Sequence, residues 1–111
     1  MTNRIQLAQA FYSAFAAGDR RFVEERLAEN FTFSSPPDPH LDRAGYFERC
    51  WPGSGTGQEF EFVRLIEAGA EVIVTYESRQ PNGTRGRNTE VLTFDGDQLT
   101  RAEVYFGWSL G

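Results

Sequence analysis

The sequence predicts an α+β fold, with three short helices laid on one face of a curved antiparallel sheet. Three observations carry this. Before Trp51 the apolar residues recur mostly at helical spacing, in short segments with capping residues. After Gly57 the period changes to 2 and stays there, as in half-buried strands. Asn82-Gly83 and Asp95-Gly96, placed between the alternating runs, are strong hairpin signals. Helices first and a strand meander after is an α+β layer arrangement, and 111 residues suffice for one domain around one core.

Ile5, Ala8, Phe11, Tyr12 and Phe15 mark the first helix, with Thr2 or Asn3 as its N-cap. Gly18 is suited to end it, and Asp19 to cap a second helix that buries Phe22, Val23 and Leu27. Asn30–Ser35 alternates as a strand and stops at Pro36-Pro37, which cannot continue a central strand. Asp42 then caps a third helix running through Tyr46, Phe47 and Cys50 to Trp51. Gln58–Ala68, Glu71–Gln80, Arg85–Phe94 and Gln98–Trp108 read as four long strands, turning at Gly69, Asn82-Gly83 and Asp95-Gly96. The stretch Gly53–Gly57 reads as a flexible connection.

The most informative of these strands is the third. Alternation puts Asn88, Glu90, Leu92 and Phe94 on one side, and Leu92 and Phe94 belong in a core. Glu90 and Asn88 therefore point inward with them. An inward carboxylate must be hydrogen-bonded, paired, wetted by a cavity or held protonated. Three readings stand for Glu90. It is a general acid or base with its pKa raised by desolvation, or it is a structural partner of Arg64, which shares a face with Phe60 and Phe62. In the third, a bulge turns it outward.

Composition excludes several kinds of chemistry. All 11 basic residues are Arg, so there is no lysine for Schiff-base catalysis or a P-loop. The single Cys50 rules out an internal disulfide and multi-cysteine zinc sites, and the single His40 rules out sites built on paired histidines. No metal or other cofactor is expected. A net charge of −5 disfavours a nucleic-acid partner or an anionic membrane surface. No apolar run is long enough to span a membrane, and Met1-Thr2-Asn3-Arg4 does not begin a secretory signal, so a cytoplasmic protein is expected.

The remaining candidates each have a plainer reading. His40, in Pro37-Asp38-Pro39-His40-Leu41-Asp42, is either a proton shuttle at a cavity mouth, a metal ligand with Asp38 and Asp42, or a solvated loop residue beside a helix cap. Tyr12, Tyr46, Trp51, Phe106 and Trp108 either line a ligand pocket, with Tyr12 donating to a carbonyl, or fill the core. Cys50 reads as an inert buried thiol. Strands such as Val72-Ile73-Val74 are apolar on both faces, yet the helices cover one. A homodimer through the back of the sheet is the expected cover.

The helix ending Ala16-Ala17-Gly18-Asp19, the Phe31-Thr32-Phe33 strand running into Pro36, the third helix and the four strands resemble the nuclear transport factor 2-like superfamily. The likeness covers nearly the whole chain and is nearest to SnoaL-like and ketosteroid-isomerase-like proteins. It implies a cystatin-like cone, with the sheet wrapped around the helices and a mostly apolar pocket at the open end. It also implies a small apolar ligand, and members include isomerases, polyketide cyclases, dehydratases and epoxide hydrolases. Against the ketosteroid isomerases, the general-base Asp aligns with Ser35, the oxyanion-hole Tyr with Phe11, and the oxyanion-hole Asp with Glu90. One acidic position is retained. The resemblance therefore implies acid–base chemistry on a small carbonyl-bearing molecule, with Glu90 moving the proton. Asn88, Tyr12 or His40 would orient the oxygen. The other function it allows is a non-catalytic module binding a small ligand or protein partner.

Overall fold

The computed structural model describes residues 3–111. Helix α1 spans Arg4–Ala17, and its cap is Asn3, whose side chain accepts from the Gln6 N–H at 3.1 Å. Thr2, the alternative cap, lies outside the described residues. Gly18 ends the helix with φ 72°, and Asp19 caps α2, Arg20–Arg26. Leu27, expected at the end of that helix, instead opens strand β1, Leu27–Ser34. A two-residue strand β2, Leu41–Asp42, pairs with β1, a bridge too short for any periodicity to announce.

Asp42 caps α3, Arg43–Arg49, accepting from the Gly45 N–H at 2.7 Å. The expected continuation to Trp51 gives way to a 3₁₀ turn at Trp51–Gly53, because Pro52 has no N–H and disfavours a helical residue before it. The glycine-rich connection that follows is docked rather than free. Gly55 N–H donates to Phe15 O at 2.8 Å and Gly57 N–H to Ala16 O at 3.0 Å, satisfying the last carbonyls of α1. A Cβ on Gly18 would sit 3.1 Å from Gly55 Cα, so the two backbones meet closely.

Strands β3 (Glu59–Ala68), β4 (Glu71–Arg79), β5 (Arg85–Asp95) and β6 (Gln98–Ser109) form the antiparallel meander. The sheet order is β2-β1-β6-β5-β4-β3, with β1 joining parallel to β6, a departure from the all-antiparallel pattern expected. The Asn82-Gly83 hairpin closes over three residues, Pro81 to Gly83, with Gln80 N–H donating to Thr84 O at 2.9 Å. That length sets Tyr76 opposite Asn88 and Val74 opposite Glu90.

Register shifts bend the sheet, as extra residues in one strand do. One falls at Val63 in β3 and one in β1 between Leu27 and Thr32; two fall on β6, near Thr100 and at Gly107-Trp108. The helices pack into the resulting concavity over a core that includes Val23, Phe31, Val72, Val74, Leu92 and Phe94. No helix among the described residues is long and apolar enough to cross a membrane.

Candidate functional site

Between the helices and the concave face lies a cavity of about 330 Å³, within the size range of small-molecule sites. Its walls are mostly apolar: Phe11, Phe15, Phe31, Phe33, Leu92 and Ala102 contribute from four elements. Glu90 is the only charged side chain among its described lining residues. The inward reading of that residue holds, and a bulge explains why no cation accompanies it. At Val63 the strand carries one extra residue, so Phe62 lies opposite Tyr76 while Arg64 lies opposite Thr75. Arg64 is thereby turned to the outer face, where it is exposed, and cannot pair with Glu90.

Three phenols surround the carboxyl instead. Tyr76 Oη donates to Glu90 Oε2 at 2.7 Å, and Asn88 Nδ2 donates to Tyr76 Oη at 3.4 Å. Asn88 Oδ1 in turn accepts from the Gly107 N–H at 3.2 Å, so the amide's orientation is set by the backbone of β6. Tyr12 approaches the same carboxyl closely enough to act on its ionisation, yet falls outside hydrogen-bond geometry. Its buried hydroxyl is left without a partner. Edge-on contacts with Phe60 and Phe62, at 5.2 and 5.3 Å between centroids, hold that ring in place. Tyr46, packed on Phe31 and Phe33, completes the set.

Desolvation dominates the electrostatics. Glu90 is half-buried, but its carboxyl is enclosed by protein and its pKa is raised by that burial, the Tyr76 and Tyr12 hydroxyls offsetting only part of the shift. The pKa values of Tyr12, Tyr46 and Tyr76 are raised first by burial and then by the Glu90 charge, so all three stay protonated donors. Cys50 also lines the cavity; burial, with help from Asp38, pushes its thiol up to about 11, which leaves it a poor nucleophile.

The other expected site residues divide between the cavity and elsewhere. Ser35 lines it beside the turn where Ser35 and Asp38 exchange backbone hydrogen bonds. Phe106 lines it as well, 57% exposed and so at its rim. Trp51 does not reach it, packing against Phe15 and Phe47 in the core. His40 is exposed, in a left-handed conformation at φ 62°, with its backbone N–H on Ser34 Oγ; neighbouring Asp38 is engaged by Arg49 at 2.5 Å.

Trp108, expected inward by alternation, is 63% exposed on the outer face. The bulge sets Gly107 and Trp108 together against Arg87, whose guanidinium lies 5.6 Å from the indole centroid. The resemblance to the ketosteroid isomerases aligns their oxyanion-hole Tyr with Phe11. That ring packs on Phe22 and Phe94, and the phenol nearest Glu90 from α1 is Tyr12. Tyr76, the closest partner of Glu90, was missed as a site residue. Its alternation with Val72 and Val74 marks it as inward, but only the three-residue turn brings it beside Glu90.

Residues 8–102 match the family described as SnoaL-like domain. No curated protein matches the chain. Among solved structures it is similar to an NTF2-like protein of unknown function from Cytophaga hutchinsonii, at 21% identity and TM-score 0.76, over 96% of this chain and 92% of that one. A LEH-like epoxide hydrolase from M. tuberculosis aligns at 20% identity and TM-score 0.74, over 93% and 77%. A cystatin fold protein from Novosphingobium aromaticivorans aligns at 17% and 0.71, over 94% and 98%. At these identities the likeness is one of fold.

Proposed function

The chain belongs to the SnoaL-like domain family, and from its cavity we propose an enzyme that moves a proton on a small, largely apolar, carbonyl-bearing molecule. One observation carries the reading: a lone carboxyl, held by Tyr76, lies beside the buried Tyr12 hydroxyl, which has no partner in hydrogen-bond geometry, on the wall of an apolar cavity. An unspent donor is costly to bury, and a ligand oxygen supplies its missing acceptor. The epoxide hydrolase among the structural neighbours is consistent with small-molecule conversion in this fold.

In this reading the Glu90 carboxylate takes a proton from the carbon next to the ligand carbonyl. The electron pair moves toward the carbonyl oxygen, where the Tyr12 hydroxyl donates to the developing enolate. Returning the proton from Glu90 to a different carbon completes an isomerisation; cyclisation and dehydration share the first step. Desolvation makes Glu90 a stronger base than an exposed carboxylate, while Asn88 acts as a positioning residue through Tyr76. Ser35, where the isomerases carry their base, has no ionisable group, so Glu90 acts alone.

Turnover of a ketone substrate should fall about 10²–10⁴-fold in Glu90→Gln with little change in affinity. Its pH profile should rise as pH passes upward through the raised Glu90 pKa. The loss of two isomerase positions favours a second reading, a non-catalytic ligand-binding module. Ligand binding without turnover in the parent protein, matched by equal binding in Glu90→Gln, would select it.

A further inference from the structure

The cavity wall becomes polar toward one end, where Gln58, Ser78 and Gln80 take no part in the proposed proton transfer. The inner face of β4 reads Val72, Val74, Tyr76, Ser78 and, just past its end, Gln80. On β5 the inward sequence toward the same end is Phe94, Leu92, Glu90, Asn88. On β3 it is Leu65, Phe62, Phe60 and, just before the strand, Gln58. Three adjacent strands thus change from apolar to uncharged polar toward one end.

Gln58 is the most telling member, an amide only 5% exposed that lines the cavity. Its Oε1 accepts from Thr56 Oγ1 at 2.6 Å and its Nε2 donates to Gly53 O at 3.3 Å. One N–H and one lone pair of that fixed amide remain for another partner. Phe60 pairs with Ser78 across the strands, which places Ser78 and Gln80 on the same side as Gln58. Among the described residues, no cation lines this end of the cavity. Arg79 sits between Ser78 and Gln80 and so faces the other way, opposite Glu59.

We propose that this end is a second recognition site, formed by Gln58, Ser78 and Gln80, for an uncharged hydrogen-bonding group on the ligand: a hydroxyl, amide or ester. Strand rise puts Ser78 about 7 Å and Gln80 about 13 Å along β4 from Tyr76, which holds Glu90. The ligand is therefore amphipathic, with an acceptor at Glu90 and Tyr12 and a second neutral polar group within that span. A carboxylate or phosphate finds no cation there among the described lining residues. The inference rests on the cavity being a ligand site and adds which ligands it selects.

The test uses 4-acetylbiphenyl and its derivatives with a carboxamide or a carboxylate at the 4′ position, titrated calorimetrically at pH 8. The carboxamide should bind at least about tenfold tighter than the carboxylate. Ser78→Ala with Gln80→Leu should erase its advantage over unsubstituted 4-acetylbiphenyl, about fivefold, and leave the parent probe within about twofold. Circular dichroism confirms that the variant is folded; should it not fold, Gln80→Leu alone is read against the same expectation. Carboxylate binding as tight as carboxamide, or a carboxamide preference that survives the substitutions, overturns this inference alone. Failure of all three probes to bind overturns both it and the reading of the cavity as a ligand site.

Discussion

Glu90 and Tyr12 make opposite predictions for stability and for activity, which separates a working site from a structural one. Burial raises the Glu90 pKa, so the folded state favours the protonated form. Below the unfolded carboxylate value of about 4.3, both states are protonated and the group costs nothing. As pH rises toward the folded pKa the fold loses stability, about 1.4 kcal/mol for each unit of difference. Glu90→Gln keeps an acceptor for Tyr76 and removes that loss. Its melting temperature should match the parent at pH 4 and exceed it at pH 8; a variant less stable than the parent at pH 8 would show that Glu90 supports the fold. At low pH, with Glu90 protonated, Tyr12→Phe deletes a buried hydroxyl that lacks a hydrogen-bond partner, so stability should hold or rise, by up to about 1–3 kcal/mol, while affinity for a ketone falls. Denaturant titration beside calorimetry reads both, and a clear destabilisation would mean that the hydroxyl has a partner.

Strand bulges decide which of these residues meet. A bulge at Gly107-Trp108 lets the β6 backbone approach Arg87, and a Cβ on Gly107 would lie 2.1 Å from Arg87 O. Gly107→Ala should therefore destabilise by about 1–3 kcal/mol and alter Trp108 fluorescence, and near-parent stability would contradict the close approach. Bulges also set what was legible in the chain. Alternation found Glu90 and Asn88 because Leu92 and Phe94, two and four residues beyond Glu90 in the same strand, fix the phase. It failed for Arg64 and Trp108, each beyond one extra residue that leaves no mark in a polar/apolar pattern. Tyr76 required the hairpin length as well as the phase, since a two-residue turn at Asn82-Gly83 would shift the register by one. The helix caps Asn3, Asp19 and Asp42 were readable because a cap is a local event, settled within four residues.

The whole molecule presents two surfaces with different tasks. The concave one encloses the cavity. The outer one exposes Val63, Ile66, Tyr105 and Trp108, with Thr75 and Thr89 bonded to each other between them at 2.9 Å. We propose this outer face as the contact of a homodimer, since scattered apolar residues on a sheet are covered most simply by a second copy. Sedimentation at about 10 µM should then give twice the chain mass, and Tyr105→Glu should give a monomer. A parent protein that stays monomeric at about 100 µM would contradict it.

Phenols and apolar walls enclose one carboxyl, and titrating Glu90 in the free protein reads the consequence of that enclosure. ¹³C NMR of the glutamate carboxyls, assigned by loss of one resonance in Glu90→Gln, follows that group through pH. A midpoint well above about 4.3 is the result predicted for a desolvated proton carrier. A midpoint at or below that value would mean a solvated or ion-paired carboxylate and would contradict the proposed chemistry.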